Sequence, residues 1–198
     1  MNREILNKTQ YGLPYYATNR TVTNFITDMD DFPYNRFYRG KYEVDKPTGL
    51  LRLDRVIYSS FHYPINYGFI PQTLSDDGDP LDILVYNTVP IITGTLVECR
   101  IVGGLLTIDN GVVDYKVLGI PMYNPNQYED ITDIDEVFLD VTADFFTHYK
   151  NNSKKSKHVV VEQWTNRENT LKVITEKHSS YISNLTRISS IPDSRIQI

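Results

Sequence analysis

The 198-residue sequence contains one cysteine, no long apolar run and no surplus of basic residues. Cys99 has no second cysteine to pair with inside the chain, which is typical of a reducing compartment or of a protein indifferent to redox conditions. No stretch approaches the ~20 apolar residues of a membrane span, and Met1–Gln10 lacks the apolar run of a secretory signal. We therefore expect a soluble, cytoplasmic protein with no membrane partner.

The formal net charge is −5. Proteins that bind nucleic acid usually carry a basic surplus to displace counterions, so the charge argues against a nucleic-acid partner. An acidic protein can still bind an anion through bridging cations or a local basic cluster. The sequence offers candidates for both.

The chain is long enough to bury one core and short for two, so a single domain is expected. The first residues are rich in Asn, Thr and Tyr and show no period. We assign 1–20 to an N-terminal arm, 21–182 to the folded domain and 183–198 to a C-terminal tail.

Between the ends lie short β-rich runs separated by Gly, Pro and Asn, which favour a barrel or sandwich over βαβ units. The predicted strands are Tyr42–Val44, Leu50–Tyr58, Leu81–Val85, Leu96–Leu106, Val112–Leu118 and His158–Val161. Two helices are predicted by apolar residues at helical spacing, one after a cap at Asp133 or Asp135 and one over Arg167–Ile182 after a cap at Asn166.

The strongest local signal is a run of four aspartates in seven residues, which reads Asp76-Asp77-Gly78-Asp79-Pro80-Leu81-Asp82. Gly and Pro predict a turn that leads into a strand, where Asp82 points away from its apolar neighbours. A hard divalent cation would relieve the crowding of carboxylates. A solvated acidic turn explains the run equally well on its own, and the spacing does not fit an EF-hand.

The second signal is Asn110-Gly111 between β-rich runs, a strong cue for a two-residue hairpin. Such a turn pairs Thr107 with Asp114 and puts Asp109, Asp114 and Lys116 on one face. The two carboxylates are then diagonal neighbours roughly 7–8 Å apart at the backbone and close enough to share a cation. A hairpin with one wet face is the preferred interpretation of this segment taken alone.

The third signal is basic. Alternation over Leu50–Ile57 puts Leu51, Leu53 and Arg55 in one apolar row. A guanidinium there needs a carboxylate partner or a pocket, because a lone buried charge costs several kcal/mol. Arginine, lysine and tyrosine are the donors that an oxyanion-rich phosphate requires.

Together these segments resemble the soluble, family I inorganic pyrophosphatases from about Lys41 to Trp164. The aspartate run matches that family's central motif, and several charged segments around it follow the family's order. These segments are Lys41-Tyr42-Glu43-Val44-Asp45, Asp54-Arg55, Tyr63-Pro64-X-Asn66-Tyr67-Gly68, Asp109, Asp114-X-Lys116 and Phe146-X-His148-Tyr149-Lys150.

The resemblance implies a mainly β (α+β) fold, a five-stranded, OB-like closed β-barrel with two flanking α-helices. It also implies several Mg²⁺ ions, with Mn²⁺ or Zn²⁺ as substitutes, and a homo-oligomer that is a dimer or a hexamer. The implied metal ligands are Asp77, Asp82, Asp109 and Asp114. The implied pyrophosphate-binding residues are Lys41, Glu43, Arg55, Tyr67, Lys116, Tyr149 and Lys150.

The implied reaction is the hydrolysis of pyrophosphate to two phosphates by direct attack of a hydroxide that bridges two metal ions. Asp79 is the implied general base, and Tyr67 joins it among the catalytic residues. One departure concerns a glutamate that the family carries just before its Lys-Tyr-Glu segment. Here Asp28 is the candidate substitute as a metal ligand, followed by a few inserted residues.

Two rival functions stay open at this stage. An OB-like module could bind oligonucleotides by stacking bases on tyrosines, although the aspartates would repel a phosphate backbone without metals. A phosphohydrolase of the same fold could act on nucleotides or polyphosphate. A pocket lined by charge and without a base-stacking platform favours a small symmetric anion.

Overall fold

The computed structural model describes residues 20–25, 40–45, 50–56, 61–88, 91–150 and 158–189. Within these ranges the chain is mainly β, with two α-helices, α1 (Glu136–His148) and α2 (Arg167–Ser189), and a short 3₁₀ turn at Ile131–Asp133. The strands are β1 (Arg20–Phe25), β2 (Gly40–Val44), β3 (Leu51–Val56), β4 (Asn66–Ile70), β5 (Leu81–Val85), β6 (Leu96–Asp109), β7 (Val112–Pro121) and β8 (Val159–Asn166).

Six strands form one sheet in the order β1-β4-β5-β7-β6-β8, and β1 also pairs with β6. The pairing of β5 with β7 is parallel, and the other pairings in this sheet are antiparallel. β8, expected as one more strand near 158–161, lies beside β6 at the end of the order. The mainly β class with two helices is confirmed.

The predicted hairpin joins β6 to β7. Asn110 and Gly111 have φ values of 53° and 84°, the left-handed conformations that a two-residue turn of this kind requires. The register pairs Thr107 with Asp114 and Asp109 with Val112, as the spacing predicts. The hairpin prediction is therefore confirmed in both turn and register.

The core lies on both faces of the sheet. Along β5, Ile83 belongs to an apolar cluster that includes Ile174 of α2, whereas Leu84 belongs to a second cluster with Phe145 and Phe146 of α1. Because successive side chains of a strand point to opposite faces, each helix covers a different face. This arrangement brings the end of α1 and the middle of α2 to the strands that carry the aspartates.

Both helices begin at caps that the sequence predicts. Asp135, one of the two candidates, accepts a hydrogen bond from the Phe138 amide at 3.0 Å, and Asn166 accepts one from the Asn169 amide at 3.0 Å. The predicted boundary after Ile182 is wrong, because α2 continues to Ser189. No Gly or Pro interrupts residues 183–189, and the next proline is Pro192.

The apolar row predicted over 50–57 is not a buried row. Leu51 and Leu53 are 47% and 50% exposed, and β3 pairs with β2 in a separate two-stranded sheet. The register shifts between Lys41 and Tyr42, so a β-bulge interrupts the alternation on which the prediction depended. The burial prediction for these leucines is therefore wrong within the described residues.

Several predictions fall outside the described residues. They concern residues 1–19 of the proposed arm, Asp28 with the insertion that follows it, and residues 190–198 of the proposed tail. Among the residues that are described, no helix is long and apolar enough to span a membrane.

Candidate active site

Lys116 lies at the centre of a cluster of polar side chains on β4, β5 and β7. Its Nζ atom is 2.8 Å from Asp82 Oδ2, 2.9 Å from Asp114 Oδ1 and 3.3 Å from the Tyr67 hydroxyl. The Tyr67 hydroxyl also donates a hydrogen bond to Asp82. The Lys116 side chain is only 2% exposed, so one buried ammonium joins two carboxylates and a phenol.

The strand register explains this convergence. Asp82 is the cross-strand partner of Lys116 in the parallel β5–β7 pair, and Asp114 lies two residues before Lys116 on the same strand. Tyr67 pairs with Leu84, which makes it a diagonal neighbour of Asp82 on the same face. Three strands thus each contribute side chains to one small polar patch.

The ionisation of the patch follows from this geometry. Burial alone would lower the pKa of Lys116, but the charges of Asp82 and Asp114 outweigh it and raise the pKa. Burial and the same two carboxylates raise the pKa of Tyr67 well above its ordinary value. Burial alone would raise the pKa of Asp114, yet Lys116 lowers it. At neutral pH the lysine is therefore charged, Tyr67 keeps its proton and Asp114 is ionised.

The end of α1 encloses the patch with aromatic rings. Phe146 and Tyr67 lie beneath the Lys116 ammonium, with centroids 5.1 and 5.5 Å from Nζ. Tyr63 packs against Tyr67 and Phe145, and Tyr149 stacks on Phe145 at 5.0 Å. Aromatic faces stabilise a cation and exclude water, which strengthens every charge interaction beside them.

A second lysine–aspartate pair lies beside the first. Lys150, directly after α1, contacts Asp109 with its Nζ atom 2.6 Å from Oδ2. Their side chains are 11% and 20% exposed. Burial alone would lower the pKa of Lys150, but Tyr149 and the bond to Asp109 raise it, so this lysine also stays charged. Asp109 and Asp114 thus bond different lysines.

The aspartate run forms the predicted turn between β4 and β5. Gly78 has φ +86°, a conformation that favours glycine. The Ser75 amide donates to the Asp79 carbonyl at 2.8 Å, and the Asp79 amide donates to Asp77 Oδ1 at 3.0 Å. Asp82 is half-buried between Leu81 and Ile83, which are 1% and 0% exposed, as the alternation predicts.

Asp77 lies in a strongly negative environment. Its partial burial raises its pKa, the amide of Asp79 opposes this, and the charges of Asp79, Asp82 and Asp114 raise it further. The electrostatic coupling links the turn to the patch around Lys116. A site that holds several carboxylates against their mutual repulsion is one in which a divalent cation is strongly stabilised.

The structure does not gather the predicted metal ligands into one compact cage. Within the described residues, no group of three or more His, Cys, Asp or Glu side chains is close enough to hold a single metal ion. Asp82 and Asp114 are instead separated by the Lys116 ammonium. The role of these aspartates, and of Asp109, as metal ligands stays a prediction.

The other predicted binding residues lie on the β2–β3 sheet. Lys41 and Arg55 are cross-strand partners at the backbone, and their side chains lie outside the described part of the structure. Glu43 is half-buried and pairs in register with Arg52. Two cationic residue types directly opposite each other are unfavourable unless an anion lies near.

A protein-family model described as inorganic pyrophosphatase matches residues 34–182. The match covers three quarters of the chain and includes every described element except β1 and the end of α2. The chain belongs to the inorganic pyrophosphatase family. Its reaction is therefore the hydrolysis of pyrophosphate to phosphate.

Individual members of the inorganic pyrophosphatase family support the same assignment. The inorganic pyrophosphatase of Brucella melitensis is 42% identical over 140 residues, which cover 69% of this chain and 79% of the relative. That of Caulobacter vibrioides is 38% identical over 138 residues, which cover 68% and 77%.

Solved pyrophosphatase structures share the fold. The enzyme from Thermus thermophilus superposes with a TM-score of 0.77 at 35% identity and covers 85% of this chain and 96% of its own. The enzyme from Helicobacter pylori gives 0.76 at 33% identity and covers 85% and 98%. This chain thus shares its fold with solved members of the family over 85% of its length.

Sequence reasoning gave no role in the site to several residues that build it. Tyr63 and Phe146 enclose the lysines, and Lys177 of α2 bonds to Asp76 in the aspartate turn. Tyr63 and Phe146 were recognised only as members of family segments, without a role in the site. Lys177 has no local signal, because its partner lies 101 residues earlier in the chain.

Proposed function

We propose that this chain hydrolyses pyrophosphate with several Mg²⁺ ions that Asp77, Asp82, Asp109 and Asp114 hold in its active site, with Asp28 as an additional ligand. The observation that carries the proposal is the convergence of Asp82, Asp114 and Tyr67 on the buried ammonium of Lys116, beside a turn in which Asp77 resists ionisation. Such an arrangement combines cation-binding oxygens with phosphate-binding donors.

The donor set fits Mg²⁺. This ion prefers carboxylate oxygens and usually keeps several waters, so an open group of aspartates suits it better than a dedicated cage. Burial and the neighbouring carboxylates raise the pKa of Asp77, so its ionised form is unfavourable, and a bound cation would stabilise that form. When bound, Mg²⁺ would lower the pKa of a water ligand and neutralise phosphate oxygens.

The basic residues account for binding of the anion. Lys116 and Lys150 both keep their protons at neutral pH and lie within one aromatic enclosure, with Tyr149 between α1 and Lys150. On the neighbouring sheet, Lys41 and Arg55 are cross-strand partners, a pairing that an anion would stabilise. These four residues, with Glu43, Tyr67 and Tyr149, are assigned to pyrophosphate.

Asp79 is assigned as the general base. It is exposed at the tip of the turn, where Pro80 restricts the backbone and three hydrogen bonds fix residues 75–79. A water molecule attacks one phosphorus and gives its proton to the Asp79 carboxylate. The bond from that phosphorus to the bridging oxygen breaks, and the bridging oxygen leaves with the second phosphate.

The remaining residues stabilise charge and do not transfer a proton. Lys116 and Lys150 neutralise the charge that builds on the leaving phosphate. Tyr67 keeps its proton because of its raised pKa, so it acts as a hydrogen-bond donor that orients Asp82 and can reach a phosphate oxygen. No covalent intermediate is required, and the buried Cys99 has no part in the reaction.

Two structural features belong to the same proposal. A closed five-stranded barrel is supported by the pairing of β1 with both β4 and β6, which joins the ends of the order β1-β4-β5-β7-β6. A homo-oligomer, dimer or hexamer, is supported by exposed apolar residues on α1, where Val137 and Val141 are 68% and 53% exposed.

The test is phosphate release from pyrophosphate and from ATP by the purified chain, with Mg²⁺ and with a chelator. Rapid release from pyrophosphate that requires Mg²⁺, with little from ATP, is expected. Equal cleavage of ATP would favour the broader phosphohydrolase. Activity that persists in chelator would overturn the metal assignment, and no release with Mg²⁺, Mn²⁺ or Zn²⁺ would point to an OB-like binding module.

A further inference from the structure

Helix α2 contacts the aspartate turn at two consecutive residues. The Lys177 ammonium lies 2.9 Å from Asp76 Oδ1, and the Lys177 carbonyl accepts a hydrogen bond from the Leu74 amide at 2.9 Å. His178 Nδ1 lies 2.9 Å from the Gln72 carbonyl oxygen. Since a carbonyl oxygen only accepts, this contact requires the proton of His178 on Nδ1.

These contacts hold a segment that would otherwise be costly to order. Gln72 has φ 60°, a left-handed conformation that is uncommon for a residue with a side chain. The Thr73 hydroxyl donates to the Ile70 carbonyl at 2.6 Å and accepts from the Leu81 amide at 2.8 Å, which closes the base of the loop. α2 therefore fixes the loop from outside, while Thr73 fixes it from within.

Lys177 differs from an ordinary surface lysine. The residue is 8% exposed, whereas the side chains of its two partners, Asp76 and Glu176, are 57% and 69% exposed. A buried ammonium must keep its partners, because an uncompensated buried charge is strongly unfavourable. The ion pair thus couples the position of Asp76 to the core-packed helix, whose Ile174 lies in the main apolar cluster.

We propose that Lys177 is a positioning residue, which through Asp76 sets the place of Asp77 for binding a divalent cation. The inference rests on the proposed role of Asp77 as a metal ligand. Asp76 immediately precedes Asp77, and the hydrogen bonds from Ser75 to Asp79 and from Gly78 to Ser75 transmit its placement through the turn. Residues that orient metal ligands in this way strongly affect metal affinity.

The test is the Mg²⁺ dissociation constant of Lys177→Met, measured by isothermal titration calorimetry. The matched control is Lys172→Met, because Lys172 forms an ion pair with Glu168 on the same helix, exposed and without contact to the turn. We expect Lys177→Met to weaken Mg²⁺ binding on the order of 10-fold, and the control to bind like the wild type.

The sign of the change separates positioning from charge alone. Removing a positive charge near a cation site should tighten cation binding if only Coulomb forces matter. Weaker binding therefore requires displacement of the ligands, and faster amide hydrogen exchange of 74–79 in chelator is the accompanying expectation. Unchanged or tighter Mg²⁺ binding by a folded Lys177→Met variant would overturn the inference.

Two further variants keep the result decisive. Asp76→Glu preserves charge and lengthens the side chain by one methylene, so it should weaken Mg²⁺ binding even where Lys177→Met fails to fold. Wild-type Mg²⁺ affinity of Asp76→Glu would overturn the proposal. Asp77→Asn tests the proposed function on which the inference rests. Unchanged Mg²⁺ affinity in this variant would show that Asp77 is not a ligand. Weaker Mg²⁺ binding by Asp77→Asn, with wild-type binding by Lys177→Met and Asp76→Glu, would refute the positioning role of Lys177 and leave Asp77 as a ligand.

Discussion

The β6–β7 hairpin and the aspartate turn both carry carboxylates of the active site, but they are neutralised differently. In the hairpin region, Asp114 bonds Lys116 at 2.9 Å and Asp109 bonds Lys150 at 2.6 Å. In the turn, the charges that act on Asp77 come from other carboxylates, and its pKa is raised, whereas that of Asp114 is lowered.

This difference shows which carboxylates of the site are neutralised by the chain itself. The hairpin carboxylates are stabilised by lysines of the chain, so that part of the site needs no further charge to be stable. The turn is held by backbone hydrogen bonds and by α2 while its charges repel, so it gains most from an added cation. Substitutions in the turn and around the hairpin lysines test this contrast.

Asp79→Asn should have the largest effect. Loss of a general base lowers kcat by roughly 10²–10⁴-fold. Mg²⁺ binding should persist, because Asp79 is assigned to proton transfer and not to the metal. Steady-state phosphate release and calorimetric Mg²⁺ titration measure the two quantities. Asp140→Asn, on the exposed face of α1, is the control, and substantial turnover by Asp79→Asn would remove Asp79 as the base.

Lys116→Met should be the most damaging change to stability. It leaves Asp82 and Asp114, whose side chains are 25% and 19% exposed, without their shared cation. The expected loss is about 3–5 kcal/mol of unfolding free energy in chelator, measured by urea denaturation.

Two comparisons sharpen the Lys116 result. Adding Asp82→Asn should recover part of the loss, because it removes one of the stranded charges. Lys172→Met, which breaks a fully exposed pair on α2, should hardly change the unfolding free energy. A loss no larger than that of Lys172→Met would show that the hairpin side of the site does not depend on its lysine.

Lys150→Met should lower kcat/KM while leaving the fold intact. Hydrogen bonds to charged groups contribute about 1.5–3 kcal/mol, which corresponds to a decrease on the order of 10–100-fold. The loss should fall mainly on KM if Lys150 binds both ground state and transition state. Unchanged kcat/KM would show that Lys150 serves only to neutralise Asp109.

Asp77→Asn should have the smallest effect on stability, and its sign should depend on metal. The fold raises the pKa of Asp77, so the folded chain binds this proton more tightly than the unfolded chain does. The contribution of this group to stability therefore falls as pH rises through the raised pKa, and ionised Asp77 is unfavourable at neutral pH without a cation.

In chelator at neutral pH, Asp77→Asn should consequently be slightly more stable than the wild type. In saturating Mg²⁺ the order should reverse, because the wild type binds the ion more tightly. Thermal unfolding in both conditions measures the difference. If the same protein were the more stable one both in chelator and in Mg²⁺, the turn would not depend on a cation more than the hairpin does.

Local sequence rules predicted the elements whose causes are local. Each of these elements depends on a few adjacent residues, and all agree with the structure. They are the Asn110-Gly111 turn, the caps at Asp135 and Asn166, and the direction of Asp82 away from its neighbours in the chain. β4 was recognised as a family segment but not as a strand, since Gly68 interrupts a short run that contains polar Asn66 and Tyr67.

Two predictions, the apolar row over 50–57 and the end of α2, were wrong for identifiable reasons. Alternation over 50–57 predicted one apolar row that includes Arg55. The separate β2–β3 pairing leaves Leu51 and Leu53 exposed, and a bulge separates Leu53 from Arg55. The predicted end of α2 at Ile182 rests on the lack of a clear period in the residues that follow. A helix can continue through polar residues when no Gly or Pro stops it.

The amino-acid sequence alone specifies the aspartate turn, the two residues that turn the hairpin and the family that the order of charged segments resembles. The bonds of Lys116 to Asp82 and Asp114, and of Lys177 to the turn, become visible only in the folded chain. Strand and helix patterns act over a few residues, whereas these bonds join positions 34 and 101 residues apart. Such contacts follow from the parallel β5–β7 pairing and from the docking of α2, which no local pattern encodes.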